Sequence, residues 1–181
     1  RLYAEIEDLL ERRMGSDAPH IPPFLRIGSW IGADRDGNPF VTDEVMLHAA
    51  ERQSALVLDF YMGEVHQIGR RLSLTERLID VDDELMALAE ASPDRASSRA
   101  DEPYRRAVIG IYARLAATSQ GLGHVIRQRR PVGSAAPYAD SMEFVRELDI
   151  VIHSLKQHKA ALLARGDLRH VRRAAEVFGF H

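Results

Sequence analysis

Within five positions the chain places Asp34, Arg35, Asp36 and Asn38, with Gly37 among them and Pro39 directly behind. Two carboxylates, a guanidinium and a carboxamide on so short a segment could bind an anion, hold a metal, or do no more than brace a turn. The guanidinium is the most pointed of them, since it grips phosphate or carboxylate through two parallel hydrogen bonds. Glycine reaches positive φ without steric cost, proline fixes φ, and Asn38 ahead of Pro39 is pushed out of the helical region. The loop is therefore expected to be tight. Asp34, Asp36 and Asn38 imitate the first ligands of a calcium loop, but that loop needs glycine and glutamate where this chain has Pro39 and Val45. The eight histidines show no metal-ligand spacing, and His153 and His158 fall off one helical face.

The elements that must position this loop can be read around it. Phe24 to Trp30 alternates apolar with small or polar side chains, the pattern of a short strand. Thr42 can cap a long helix with Asp43 and Glu44 in its first turn, where negative charge suits the helix dipole. The amino end of that helix could also offer N–H groups to an anion near the loop. Val45, His48, Ala49, Arg52 and Leu56, then Leu58, Tyr61, Met62 and Val65, follow one another on its turns up to Arg70-Arg71. Before the loop, Leu2, Ile6, Leu9 and Leu10 share one face of a first helix, with Glu5, Glu7, Glu11 and Arg12 outside and Gly15 as its stop. Pro19, Pro22 and Pro23 lead from it in extended form.

After the long helix, Ser73 to Asp80 reads as a connector or short helix, and Asp82 caps a short one through Ala89. Ser92 to Ala100 carries no large apolar residue and is expected to be mobile. A further helix starts near Asp101, with Pro103 in its first turn, and weakens at Gly121 and Gly123. Gln128 to Pro137 forms a basic loop. Asp140 and Glu143 make a capping box that opens a third long helix through Leu155 to Leu162. Gly166 stops it, and Asp167 caps a last helix to about Val177. The fold class that results is all-α, with at most one or two short strands.

Composition bounds the function without naming it. The 181 residues suit one domain or a piece of one, and a formal net charge of −3 gives no general attraction to nucleic acid or an anionic membrane. The basic groups Arg105-Arg106, Arg127-Arg129-Arg130 and Arg165-Arg169-Arg172-Arg173 have interleaved acids and no aromatic platform, so solvated helix faces are expected rather than an RNA or effector site. With no cysteine, disulfides and thiolate metal sites are excluded. No apolar run approaches the roughly 20 residues of a membrane span. The chain begins inside a helical pattern and stops as an apolar run opens, and is expected to be an excised fragment.

Ser29-Trp30-Ile31-Gly32-Ala33-Asp34-Arg35-Asp36-Gly37-Asn38-Pro39, followed by Val41-Thr42, resembles the S-W-M-G-G-D-R-D-G-N-P-x-V-T signature of phosphoenolpyruvate carboxylase, with Ala33 where the family usually has its second glycine. Asp101-Glu102-Pro103-Tyr104-Arg105 with the helix after it is similar to the family's E-P-Y-R stretch. Asp167-Leu168 to Arg172-Arg173 with Phe178-Gly179-Phe180 is similar to its segment ending R-R-x-x-x-F-G. The resemblance covers nearly the whole chain. It implies residues 1–181 as a helical segment of a larger carboxylase, a helix-rich β/α barrel, with residues 24–42 as strand and active-site loop. It implies a cytoplasmic, homotetrameric lyase that joins phosphoenolpyruvate and bicarbonate to give oxaloacetate and phosphate, with Mg²⁺ or Mn²⁺. The family's histidine motif, metal-binding acids and arginine loop have no match here, so the metal ligands and activity itself are expected to lie outside these residues. In the signature, Arg35, Asp34 and Asp36 are the catalytic candidates. Trp30, Arg35 and Asn38 are the substrate-binding ones, with Trp30 as an apolar wall or a core residue. The alternative is a non-catalytic helical scaffold derived from the same family, its charged loop only bracing a turn.

Overall fold

The structure is a computed structural model that describes residues 2–15, 21–25, 28–32, 36, 38–75, 80–125, 133–158 and 160–181. Among the described residues run seven α-helices: α1 Leu2–Met14, α2 Asp43–Arg71, α3 Asp83–Ala91, α4 Pro103–Gly121, α5 Ser141–Gln157, α6 Ala161–Ala164 and α7 Asp167–Phe178. Among the described residues there is no strand, so the all-α expectation holds. Those of Phe24–Trp30 that are described carry no ladder, as a single strand without a sheet partner must.

The core lies where α2, α4, α5 and α7 meet, and hydrophobic burial is its main driving force. Leu58, Tyr61, Met62 and Val65 from α2 are buried against Ile111 and Leu115 of α4, Phe144, Leu148 and Leu155 of α5, and Leu168 and Val171 of α7. Phe144 sits at its centre, with ring centroids 5.4 Å from Tyr61, 5.6 Å from Tyr138 and 6.2 Å from Phe180. Such tilted and stacked aromatic pairs add to the area they bury. The Tyr61 hydroxyl donates to the Gly179 carbonyl at 2.9 Å and the Ala174 carbonyl lies 3.1 Å away, and burial pushes this phenol far above its usual range.

Three helix starts, those of α2, α3 and α5, follow the capping chemistry. Thr42 Oγ1 accepts from Val45 N at 3.3 Å, Asp82 Oδ1 from Leu85 N at 2.9 Å, and Asp140 Oδ1 from Glu143 N at 2.8 Å. Glu143 reaches back to Ala139 N at 2.9 Å, and that bond, with Arg114 beside it, holds its carboxyl below the usual range. Asp167 differs from expectation. It is the first residue of α7 and makes no cap; its carboxylate turns to Arg71, while Gly166 at φ 80° supplies the reversal.

Other expectations are corrected by the fold. Ser92 to Ala100 is tied down rather than loose: Ser92 is buried, Arg95 Nη1 donates to its carbonyl at 2.7 Å, and Asp94 takes Arg99 Nε at 2.5 Å and Nη2 at 2.7 Å. Short side-chain bonds to backbone and to one another replace apolar burial there. Helix α5 stops at Gln157 and does not reach Leu162, because His158 N bonds Ser154 O and Ala160 N turns back to Leu155 O at 2.8 Å. Leu162 is exposed as a result, and Ala164 takes the buried place. Of the connector, residues 76–79 lie outside the described residues, as do residues 128–132 of the basic loop.

Two substitutions check this reading. Phe144→Ala should destabilise the protein by about 3–5 kcal/mol in urea unfolding, while Leu162→Ala should stay within about 0.5 kcal/mol. Gly110 should tolerate nothing large. A Cβ there stands 3.2 Å from Ser92 Cβ and 3.3 Å from its Cα, so Gly110→Leu should cost about 1–3 kcal/mol by overpacking α4 against the end of α3.

Candidate functional site

The signature stretch is held from three sides. From α1, the Tyr3 hydroxyl accepts from Phe24 N at 2.8 Å and Leu25 N at 2.9 Å, and its ring lies 4.6 Å from that of Phe24. From α7, Arg173 Nη1 donates to the Ile21 carbonyl at 2.7 Å, and its guanidinium stacks 4.5 Å over the Tyr3 ring. From α2, the backbone at Gly32 is pressed against the first turns of the helix. Gly32 has φ 74°, and a Cβ there would stand 2.8 Å from Ala49 Cβ and 3.3 Å from Met46 Cα. Both the left-handed backbone and the close approach require glycine at this position.

Within the loop, Ser29 Oγ accepts from Ile31 N at 3.2 Å, and Asn38 Oδ1 accepts from Phe40 N at 3.0 Å, while Val41 N closes a turn on Asn38 O at 3.3 Å. Asn38 thus builds an Asx turn that delivers the chain to the Thr42 cap. Trp30 is 79% exposed, so the core-packing alternative is not what the fold of this chain does with it. Ile31 and Phe40 are likewise exposed, as is Asp36. Asp34 and Arg35 lie outside the described residues, as do Ala33 and Gly37. At the start of α2, Asp43 and Glu44 occupy the first turn behind the Thr42 cap. The negative charge that a helix amino end attracts is therefore supplied by the chain itself.

Next to the loop, a groove of about 1000 Å³ runs between α1, α2 and α7. Tyr3, Leu25, Leu56, Phe60 and Phe178 give it a mostly apolar lining, and it extends to Gly28 and Ser29 at the head of the signature. Leu56, expected on the buried stripe of α2, lies on this open side and is exposed. The apolar face of α1 is also only half covered, with Leu2 and Leu9 exposed.

The arginines of α7, and Arg165 ahead of it, correct a second expectation. They are not a solvated face. Arg165 meets Glu11 at 3.0 Å, Arg169 meets Asp8 at 2.9 Å, Arg172 meets Glu176 at 2.8 Å as well as Asp149, and Arg173 meets Glu7 and, at 2.8 Å, Glu176. Glu7, expected outside α1, is turned inward for this purpose. The bond from Arg169 holds the Asp8 carboxyl below its usual range. Arg105 pairs with Glu102 at 3.0 Å, and the cluster Arg127-Arg129-Arg130 lies outside the described residues. The bonds to Glu11, Asp8, Glu7 and Asp149 tie one helix to another, while Glu176 and Glu102 pair locally.

The residues that seat the loop, Tyr3, Gly32 and Arg173, did not stand out as site residues in the sequence. Tyr3 and Arg173 act across long separations, which no local pattern shows. Gly32 was visible as a glycine, but its need depends on how close α2 comes. Among the described residues no group of three His, Asp or Glu side chains is placed to hold a metal ion, and no helix is long and apolar enough to cross a membrane.

Known proteins are similar to this chain over its whole length. The family model described as phosphoenolpyruvate carboxylase matches residues 1–181. A phosphoenolpyruvate carboxylase of Nitrosomonas europaea is 61% identical over 180 residues, which is 99% of this chain and 19% of the relative. That of Nitrosomonas eutropha is 59% identical over the same shares, and that of an Azoarcus species is 50% identical over 100% of this chain and 20% of the relative. The chain spans about a fifth of the length of the curated relatives it matches. A family match without a gap at either end, carried by a signature whose glycine and asparagine have visible work in the fold, means that this chain belongs to the phosphoenolpyruvate carboxylase family.

Proposed function

We propose that these residues are one helical segment of a carboxylase that joins phosphoenolpyruvate and bicarbonate to form oxaloacetate and phosphate, and that residues 24–42 supply one of its active-site loops. The observation that carries the reading is the seating around the signature: Tyr3 and Arg173 hold the segment that leads into it and Gly32 lies against α2, while Trp30, Asp36 and Phe40 are left facing outward. A fold that spends three separate contacts on a surface loop has use for its shape.

Each residue then has a part. Arg35 binds the anionic substrate, since guanidinium matches phosphate and carboxylate geometry. Asp34 and Asp36 hold Arg35 or neighbouring basic side chains in place. Trp30 provides an apolar wall that keeps water from the reacting groups. Asn38 fixes the turn between them. Mg²⁺ or Mn²⁺ would neutralise the developing enolate when bound, its ligands coming in this reading from parts of the carboxylase outside this chain.

The apolar groove and the exposed Ile31 and Phe40 are the surfaces on which the rest of the carboxylase chain packs. The shortness of this chain against its relatives supports that assignment. Residues 1–181 by themselves are then inactive, and assembly of the whole protein into a cytoplasmic homotetramer is part of the same proposal.

The test is bicarbonate-dependent loss of phosphoenolpyruvate by the full-length protein, with oxaloacetate trapped as malate. Arg35→Ala should lower kcat/KM by roughly 10²-fold or more, as loss of one preorganised charge contact does, with its circular dichroism spectrum kept. Unchanged kinetics in that variant would remove Arg35 from the site, and a folded parent with no turnover would favour the non-catalytic scaffold. Gly32→Ala should lower activity by roughly 10- to 100-fold by shifting the loop off α2. Adding Ala49→Gly, which clears the nearest atom, should recover part of the loss.

A further inference from the structure

The lead into the signature is pinned at both ends by side chains that touch each other. Proline has no N–H, so after Pro22 and Pro23 the first backbone donors the chain can offer are those of Phe24 and Leu25. Both go to one atom, the Tyr3 hydroxyl oxygen, at 2.8 and 2.9 Å. Ahead of the prolines, the Ile21 carbonyl accepts from Arg173 Nη1 at 2.7 Å. The Arg173 guanidinium lies over the Tyr3 ring, and Tyr3 itself is buried. Helices α1 and α7 thus meet on residues 21–25, which belong to neither.

Successive N–H groups of a strand point to opposite sides. Two that converge on one oxygen are out of strand geometry, and they form a shallow cup of the kind that elsewhere takes an anion. Here the phenolic oxygen fills the cup. The side chains of Phe24 and Leu25 alternate as a strand's would, but the hydroxyl has gathered the backbone donors that a sheet partner would need. The cup also fixes the direction in which the chain goes on to Gly28 and Ser29, at the head of the groove, and then to Gly32 on α2.

We propose that Tyr3 is a positioning residue for the signature loop: by holding the Phe24 and Leu25 N–H groups on one oxygen, it sets how well the loop grips its anionic substrate. This rests on the reading that residues 24–42 supply an active-site loop. Tyr3 acts through the backbone and touches no substrate. A guanidinium clamp on phosphate or carboxylate depends on the alignment of two parallel bonds, so a small shift of the loop is enough to weaken it.

Tyr3→Phe keeps the ring between Phe24 and Arg173 and removes only the shared acceptor. In the full-length protein its KM for phosphoenolpyruvate should rise roughly tenfold, the scale of one weakened bond to a charged group, while kcat falls by less than about threefold. A variant that is only less stable loses kcat with its folded fraction and keeps its KM, so the split separates positioning from stability. Hydrogen exchange should quicken in peptides that contain Phe24 and Leu25 and stay unchanged from Leu58 to Ile68. An unchanged KM overturns the proposal whether or not exchange quickens, and so does a raised KM with exchange at Phe24 and Leu25 unaltered. Where Tyr3→Phe fails to fold, Arg173→Lys decides in its place: it leaves the hydroxyl but loses the flat stack and the reach to Ile21, and KM should rise in the same way. A natural protein without turnover removes the carboxylase reading itself, and this proposal with it.

Discussion

A guanidinium in a nearly dry place must find partners for all its donors, and Arg173 finds them on three elements at once. It meets Glu7 on α1, Glu176 on its own helix and the Ile21 carbonyl on the segment before the signature, and it lies flat over Tyr3. Removing any one partner would leave buried charge uncompensated, which is why such sets hold together or fail together. The position of α1 depends on this set, and with it the Tyr3 hydroxyl that fixes Phe24 and Leu25. The signature loop is thus seated by a contact between residues far apart in sequence and outside the loop itself.

Helix α2 has two halves with different surroundings. From Leu58 to Ile68 it is a core helix, with apolar positions packed on α4 and α7. From Asp43 to about Leu56 its side chains are largely open, and its role is to receive the loop at Gly32 and to start under the Thr42 cap. One regular rod therefore joins the most buried part of the chain to the most exposed. The ion pair from Arg71 to Asp167 of α7 and the aromatic group around Phe144 fix its inner end.

Helix existence was legible because periodicity and caps are local: Thr42, Asp82 and Asp140 each do what their position suggested, and Pro103 opens α4. What escaped was decided at longer range. The end of α5 at Gln157 rests on a backbone turn onto Leu155, against a leucine pattern that favoured going on to Leu162. Ser92 to Ala100 looked loose because it lacks apolar side chains, while its order comes from Asp94 and two arginines. In the site, Asn38 does the turn work expected of it, while the strand expected over Phe24 to Trp30 carries no ladder where it is described. Tyr3 and Arg173 were out of reach, since nothing near the signature points to helices at the two ends of the chain.

The geometry of α2 has a mechanical side. At 1.5 Å per residue the stretch from Thr42 to Leu58 is a rod about 24 Å long, clamped at its inner end and loaded at its outer end by the loop. A lever of that length turns a tilt of about 5° at the core into a displacement of roughly 2 Å at Thr42. Small repacking around Tyr61 or α7 would thus be magnified at the signature, with no contact changed in the loop. The stiffness of the core sets the aim of the loop.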